Sequence, residues 1–157
     1  MTAPIGSFFK FLEDKKGKKL TGIDNLKYKL KYAPETLTKQ DNEIEGDLDL
    51  NGLTSIPKEF NPTVDGSLFL NSLTSIPEGF NPKVDGALVL SSLTSIPKGF
   101  NPTVNGSLYL NGLTSIPEGF NPKVDEYLYL TSWKSNMTQE ELKKRFPNVK
   151  RTIYTKK

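Results

Sequence analysis

The acidic side chains are the residues whose spacing could support chemistry. Asp47 and Asp49 are two residues apart, and on an extended strand this spacing places both carboxyl groups on one side, about 7 Å apart. A second set of carboxylates recurs through the middle of the chain at Asp65, Asp85 and Asp125. A close carboxylate pair can share acid and base roles in hydrolysis, and a stack of carboxylates can bind calcium.

The rest of the sequence does not complete either site. The chain has no Cys and no His, which removes thiolate nucleophiles, imidazole bases, disulfides and the common zinc sites. One repeat later, Ser67 and Phe69 take the places of Asp47 and Asp49, and the other column is better explained by Asp-Gly turns. We therefore predict that the protein is not an enzyme and has no catalytic residue, no metal site and no cofactor.

A 20-residue unit organises the middle of the chain. Four near-copies fill residues 46–125, each with the pattern Leu-x-Leu-x-x-Leu-Thr-Ser-Ile-Pro-x-x-Phe-Asn-Pro-x-Val. A fixed short period predicts a solenoid, in which each repeat forms one coil. The Leu-x-Leu alternation has the period of a strand, so we predict one short parallel strand per coil. Six columns of like side chains are the predicted core, beginning in the first repeat with Leu48, Leu50, Leu53, Ile56, Phe60 and Val64.

The pattern Leu-x-Leu-x-x-Leu-x-x-Ile-Pro, followed by a Phe column, resembles the short leucine-rich repeats of bacterial effectors and of bacterial and phage proteins. The resemblance covers about residues 44–133 and implies a leucine-rich-repeat-like parallel β-solenoid that serves as a binding scaffold. It does not imply which partner is bound. The asparagine ladder of such repeats is replaced by Leu53 and its copies, so we expect another column to satisfy the corner backbone: Asn61, Asn81, Asn101 and Asn121.

The segments that flank the repeats are predicted to be caps, because a solenoid end exposes apolar surface. Residues 1–45 form the N-terminal cap, with a short helix near residues 8–12 and a strand over residues 26–32, where apolar residues alternate with polar ones. The repeats continue through residue 133. Residues 134–157 form the C-terminal cap: Thr138 and Glu141 predict a capping box, Leu142 and Phe146 share a helix face, and a short strand follows.

The candidate binding surface consists of strand residues that point away from the core. Aromatic side chains with polar neighbours are typical of binding hot spots, and a contiguous exposed apolar strip typically marks a partner site. We predict a protein partner at this surface. Two other interpretations stay open: β-propensity alone selected the aromatics, or the chain's own N-terminal segment or a second copy covers them. The candidate residues are Asp49, Phe69, Val89, Tyr109, Tyr127 and Tyr129.

Charge separates the ends of the chain from its middle. Residues 1–45 carry nine Lys against seven acids, residues 46–125 four Lys against eight acids, and residues 126–157 eight Lys or Arg against three acids. Basic termini are usually solvated, so we do not expect nucleic acid as a partner. We expect no membrane contact and leave a homo-oligomer open. No basic leader precedes a long apolar run, so we expect a cytoplasmic protein, in the host cytoplasm if a phage encodes it.

The sequence therefore predicts a non-enzymatic module that acts by occluding or scaffolding a protein partner, with a phage protein acting on a host protein as one form of it. The alternative is a structural component, such as a virion or assembly subunit, that contacts its neighbours through the caps.

Overall fold

The computed structural model describes residues 22–157 of the chain. Within them, parallel strands stack into a β-solenoid of about six turns with about 20 residues per turn, which confirms the predicted fold class. The helix predicted near residues 8–12 lies outside the described residues.

Two parallel sheets run along the solenoid, and each repeat supplies one strand to each sheet. Sheet A contains β1 (Glu43–Glu45), β3 (Thr63–Asp65), β5 (Lys83–Val84), β7 (Thr103–Val104) and β9 (Lys123–Val124). Sheet B contains β2 (Leu48–Asp49), β4 (Leu68–Phe69), β6 (Leu88–Val89), β8 (Leu108–Tyr109), β10 (Leu128–Lys134) and β11 (Ile153–Lys156).

The prediction counted one strand per coil, whereas the structure has two. The additional strand follows the Asn-Pro corner, where the Pro62 carbonyl accepts a hydrogen bond from the Lys83 N–H at 3.0 Å. Proline can occupy this corner because the ladder needs only its carbonyl, not an N–H. Each such strand contributes a single buried residue, Val64 and its copies, which is too little alternation to be recognised from the sequence.

The six apolar columns form one continuous core. Nearly all their members are buried, and Leu53 and Ile116 are half-buried but packed against the same cluster. The rings of Phe80 and Phe100 stack with centroids 6.4 Å apart, and Phe100 and Phe120 with centroids 6.2 Å apart. Like side chains therefore pack on like side chains from coil to coil, as the period predicts.

Close backbone packing explains the glycine at the corner between the two strands of a coil. A Cβ atom on Gly66 would lie 2.3 Å from the carbonyl carbon of Gly46. Glycine is needed here because adjacent coils approach too closely for a side chain, and this reason differs from the backbone freedom usually expected of an Asp-Gly turn.

The predicted strand over residues 26–32 is wrong, because this segment belongs to helix α1 (Gly22–Tyr32). Leu26 and Leu30 alternate with Lys, but they are also four residues apart, and both are buried against the core. Two 3₁₀ turns follow, Pro34–Thr36 and Gln40–Asn42. Lys29 of α1 holds the second turn through an ion pair with Asp41 at 2.9 Å.

Helix α2 (Gln139–Arg145) covers the other end of the core. The predicted capping box is formed: the Glu141 N–H donates to Thr138 Oγ1, and the Thr138 N–H donates to Glu141 Oε2 at 2.7 Å. Leu142 and Phe146 are buried. The Phe146 ring meets the last core ring, Phe120, edge-on with centroids 5.9 Å apart, so it ends the phenylalanine column.

Candidate interaction surface

The outward side chains of sheet B form a single row across all six of its strands. The strand register pairs them one by one from coil to coil, so they lie side by side at the spacing of neighbouring strands. We call this row the aromatic ladder: Asp49, Phe69, Val89, Tyr109, Tyr129 and Tyr154. Five of the six predicted site residues belong to it, and the sixth, Tyr127, lies beside it.

The tyrosines of the ladder stack face to face. The ring centroids of Tyr109 and Tyr129 are 4.5 Å apart with the rings 4° from parallel, and those of Tyr129 and Tyr154 are 4.8 Å apart at 10°. Tyr109 and Tyr129 are half-buried because their faces cover each other, whereas Tyr154 at the end of the stack is 42% exposed. The three stacked tyrosines therefore present ring edges at the surface and one exposed ring at the C-terminal end of the ladder.

Tyr154 is a member of the surface that the sequence analysis missed. The alternation of Thr152, Ile153 and Tyr154 predicts a last strand. Because a helix lies between this strand and β10 in the sequence, the spacing alone does not fix how the two strands pair. The structure pairs Ile153 with Leu128, so Tyr154 falls next to Tyr129.

Tyr127 and Arg151 widen the C-terminal end of the ladder. The Tyr127 ring centroid lies 6.2 Å from that of Tyr129 and 6.0 Å from that of Tyr154. The guanidinium of Arg151 lies 5.6 Å from the Tyr127 centroid, and its Nη1 donates to the Tyr127 hydroxyl at 3.4 Å. An aromatic cluster with one cation thus forms one end of the surface, and the carboxylate of Asp49 forms the other.

Small polar side chains on both flanks hold neighbouring coils together. Asp47 Oδ1 accepts from the Ser67 N–H at 2.7 Å, and Ser67 Oγ accepts from the Ala87 N–H at 3.1 Å. On the other flank, Asn51 Oδ1 accepts from the Asn71 N–H at 2.8 Å. These bonds satisfy backbone groups at the strand ends, so the columns beside the ladder have a structural role.

The outward face of sheet A gives an internal comparison, since its strands have the same geometry. One of its columns alternates threonine and lysine after an initial glutamate, and the next is acidic with one asparagine. The columns are Glu43, Thr63, Lys83, Thr103 and Lys123, and Glu45, Asp65, Asp85, Asn105 and Asp125. Most of these residues are exposed. A strand position on this solenoid therefore does not by itself select aromatic residues.

Most of the carboxylates considered for chemistry have structural partners, as Asp47 does. Asp49 Oδ1 accepts from the Asn51 N–H at 2.9 Å. In the sheet A column, Asp85 accepts from Asn105 Nδ2 at 2.9 Å, and Lys150 lies 2.9 Å from Asp125. Among residues 22–157, no group of three or more acidic side chains is arranged to hold a metal ion.

Stacking shifts the titration of the ladder's central tyrosine. Partial burial raises the pKa of the Tyr129 hydroxyl above its ordinary value, and the neighbouring phenols of Tyr109 and Tyr154 raise it further. The Tyr129 hydroxyl therefore stays protonated at neutral pH.

A second ladder confirms the role expected for the corner asparagines. The Oδ1 atom of each accepts a hydrogen bond from the backbone N–H of the next: Asn61 from Asn81 at 2.9 Å, Asn81 from Asn101 at 2.6 Å, and Asn101 from Asn121 at 2.6 Å. Asn42, which the sequence analysis did not include, begins the series by accepting from the Asn61 N–H at 2.8 Å. The asparagine ladder therefore joins the coils at the corner before sheet A.

The described part of the chain contains no helix long and apolar enough to cross a membrane. No protein-family model, curated protein or solved structure matches this chain. The chain is a parallel β-solenoid built on 20-residue repeats, with unlike outward faces on its two sheets.

Proposed function

We propose that the protein is a non-enzymatic binding module of the leucine-rich-repeat kind that occludes or scaffolds a protein partner through the aromatic ladder. The repeat pattern also suggests a phage protein that acts on a host protein in the cytoplasm. The candidate contact residues are those predicted from the sequence, Asp49, Phe69, Val89, Tyr109, Tyr127 and Tyr129, together with Tyr154.

The contrast between the two outward faces carries this proposal. Both faces belong to parallel strands in the same coils, yet sheet A presents lysine, threonine and carboxylates while sheet B presents stacked rings. Selection for β-propensity alone would have acted on both faces alike. A row of aromatics confined to one face is typical of a surface that is covered by a partner.

The stacked geometry also favours binding on energetic grounds. Immobilising a free side chain at an interface costs about 0.5 to 1.5 kcal/mol. Tyr129 is held between Tyr109 and Tyr154 by parallel rings at 4.5 and 4.8 Å, so much of its freedom is already lost before a partner arrives. The tyrosine stack is therefore a preorganised part of the surface.

The proposal can be tested by comparing how well two matched double variants capture the partner protein. Phe69→Asp with Tyr109→Asp adds two carboxylates to sheet B, and Thr63→Asp with Thr103→Asp adds two carboxylates to sheet A in the same two coils. Each protein serves as bait in lysate of the cells in which it occurs, with circular dichroism as the control for folding. We expect the sheet B variant to lose the partner and the sheet A variant to keep it. Equal capture by both variants would remove the ladder as the contact surface.

The alternative function, an assembly component that uses its caps, is favoured by one observation. The C-terminal cap exposes a group of cations: Lys144, Arg145, Lys150, Arg151 and Lys156. Replacing Lys144, Lys150 and Lys156 by Gln leaves the ladder intact and lowers this charge. Loss of assembly in that variant, with normal assembly of the Phe69/Tyr109 variant, would favour the structural role.

A further inference from the structure

One face of α2 meets the last strand of both sheets. Gln139 and Lys143 are four residues apart, so they project from the same side of the helix. Leu142 lies beside them and is buried in the core. The helix therefore brings two polar side chains to the rim of the core that it covers.

Gln139 occupies the position of a further strand at the edge of sheet B. Its Nε2 donates to the Ile153 carbonyl at 2.7 Å, and its Oε1 accepts from the Ile153 N–H at 3.3 Å. The Thr152 carbonyl accepts from the Leu128 N–H of β10, and the Lys156 carbonyl accepts from the N–H of Ser135 directly after β10. The backbone groups of Ile153 therefore face away from the sheet. The side-chain amide thus makes the donor and acceptor contacts that the backbone of a neighbouring strand would make.

Lys143 makes the corresponding contact at the last strand of sheet A. The segment around Val149 pairs with Val124 as a sixth, irregular member of this sheet. Lys143 Nζ donates to the Val149 carbonyl at 2.8 Å, and the Val149 N–H donates to the Phe146 carbonyl at 3.2 Å. The outward backbone groups of Ile153 in sheet B and of Val149 in sheet A are therefore satisfied by α2 and the turn that follows it.

An edge strand with free N–H and C=O groups is a template on which another chain can add a strand. We propose that Gln139 and Lys143 form an edge lock: they hold the C-terminal end of the solenoid closed against strand addition by a second copy of this chain. Without the lock, two copies pair through antiparallel β11 strands about a two-fold axis at Tyr154. Ile153 of one copy then lies opposite Thr155 of the other.

A second copy of this chain, related by a two-fold axis, is the partner that best fits the opened edge of β11. The N-terminal end is covered by α1, whose Leu26 and Leu30 are buried in the core, so head-to-tail stacking would require both caps to open. A two-fold pair uses the same edge from both copies and closes after two subunits. It also covers the exposed ring of Tyr154, which is 42% accessible and ends the tyrosine stack.

The test compares two double variants of α2 in the full chain. Gln139→Met with Lys143→Met removes the edge lock and keeps helix-forming side chains of similar length. Glu140→Met with Lys144→Met makes the same change at the same spacing on the exposed side, where it breaks only a surface ion pair of 3.3 Å. The readouts are amide exchange at Ile153 by NMR and molecular mass by light scattering over a concentration series.

We expect the Gln139/Lys143 variant to exchange the Ile153 amide on the order of ten-fold faster when dilute, because its hydrogen bond to the side chain is lost. At high concentration its mass should rise to that of a dimer, whereas the Glu140/Lys144 variant stays monomeric. Unchanged exchange at Ile153, or fast exchange with a monomer at every concentration, would overturn the proposal. Trp133 fluorescence reports whether α2 is still docked, because the Trp133 and Phe146 centroids are 6.2 Å apart. If docking is lost, the single variant Gln139→Met is measured in the same way and decides the question.

Discussion

An alanine substitution inside the asparagine ladder should lower the free energy of unfolding more than the same substitution at its last asparagine. Asn101 Oδ1 accepts from the Asn121 N–H at 2.6 Å, so Asn101→Ala leaves that backbone donor without its partner. Asn121 Oδ1 is buried, and no described residue donates a hydrogen bond to it. Asn121→Ala therefore deletes the same side chain at another half-buried site without breaking a ladder bond, and it also spares the weak 3.4 Å bond from Asn101 Nδ2 to the Gly119 carbonyl.

The magnitude follows from the group that is left unpaired. A buried N–H that loses its acceptor costs about 1 to 3 kcal/mol, so we expect Asn101→Ala to lower the free energy of unfolding by that amount. Asn121→Ala removes an acceptor that is already desolvated and makes no hydrogen bond. Its effect on the free energy of unfolding should therefore stay within about 0.5 kcal/mol. For a chain of this size each kcal/mol corresponds to about 2 to 4 °C in Tm, which predicts a drop of about 2 to 12 °C for Asn101→Ala alone.

Urea unfolding followed by circular dichroism, with thermal melts of the same samples, measures both variants. The wild-type chain and both variants are compared at one protein concentration. Equal losses of stability in the two variants would refute the reasoning, because the ladder bond would then contribute nothing beyond the side chain itself. A neutral Asn101→Ala would refute it as well.

Two predictions concern pH. Partial burial would raise the pKa of Asp41, but hydrogen bonds from the Thr38 N–H and from Lys29 outweigh this effect and lower the pKa below 3.8. A lowered carboxyl pKa stabilises the fold above about pH 4, and this stabilisation is lost in stronger acid. Acid unfolding of Lys29→Met should therefore depend less steeply on pH than that of the wild type. The raised pKa of Tyr129 has the opposite consequence: its stabilisation is present below about pH 10 and is lost as pH rises further. The ultraviolet titrations of the wild type and of Tyr129→Phe should therefore differ by a phenol that ionises above about pH 10, and a difference centred at the ordinary phenol pKa would contradict the stacked arrangement.

The repeat period was sufficient to predict the fold because the same residue types recur at the same positions of every coil. Nearly every member of the leucine, isoleucine, phenylalanine and valine columns is buried where the alignment placed it, and the asparagines bond the corner backbone as expected. Coil-on-coil stacking repeats one local environment, so a correct register in one repeat carries over to the others.

The flanking segments were harder to predict because they have no second copy to fix their register. Residues 26–32 alternate as a strand does, yet Leu26 and Leu30 also fit a helix, and only their packing on the first coil decides between the two. Tyr154 was missed for a related reason: α2 intervenes, so spacing alone could not place this residue beside Tyr129.

The candidate surface was predictable in composition but not in geometry. The sequence places Phe69, Val89, Tyr109 and Tyr129 on one outward column. It does not show that the rings stack within 5 Å or that Asp47 is engaged by a backbone N–H. It also leaves sheet A undetected, and sheet A supplies the comparison on which the proposed function rests.

Photo-crosslinking from single positions in the same coil tests the central claim most directly. A photoreactive amino acid replaces Val89 on the outward face of sheet B in one protein and Lys83 on the outward face of sheet A in another. Crosslinked species are identified by mass spectrometry after irradiation in lysate of the cells in which the protein occurs. We expect position 89 to crosslink to one partner protein and position 83 not to crosslink to it. A partner that crosslinks from position 83 and not from position 89 would contradict it.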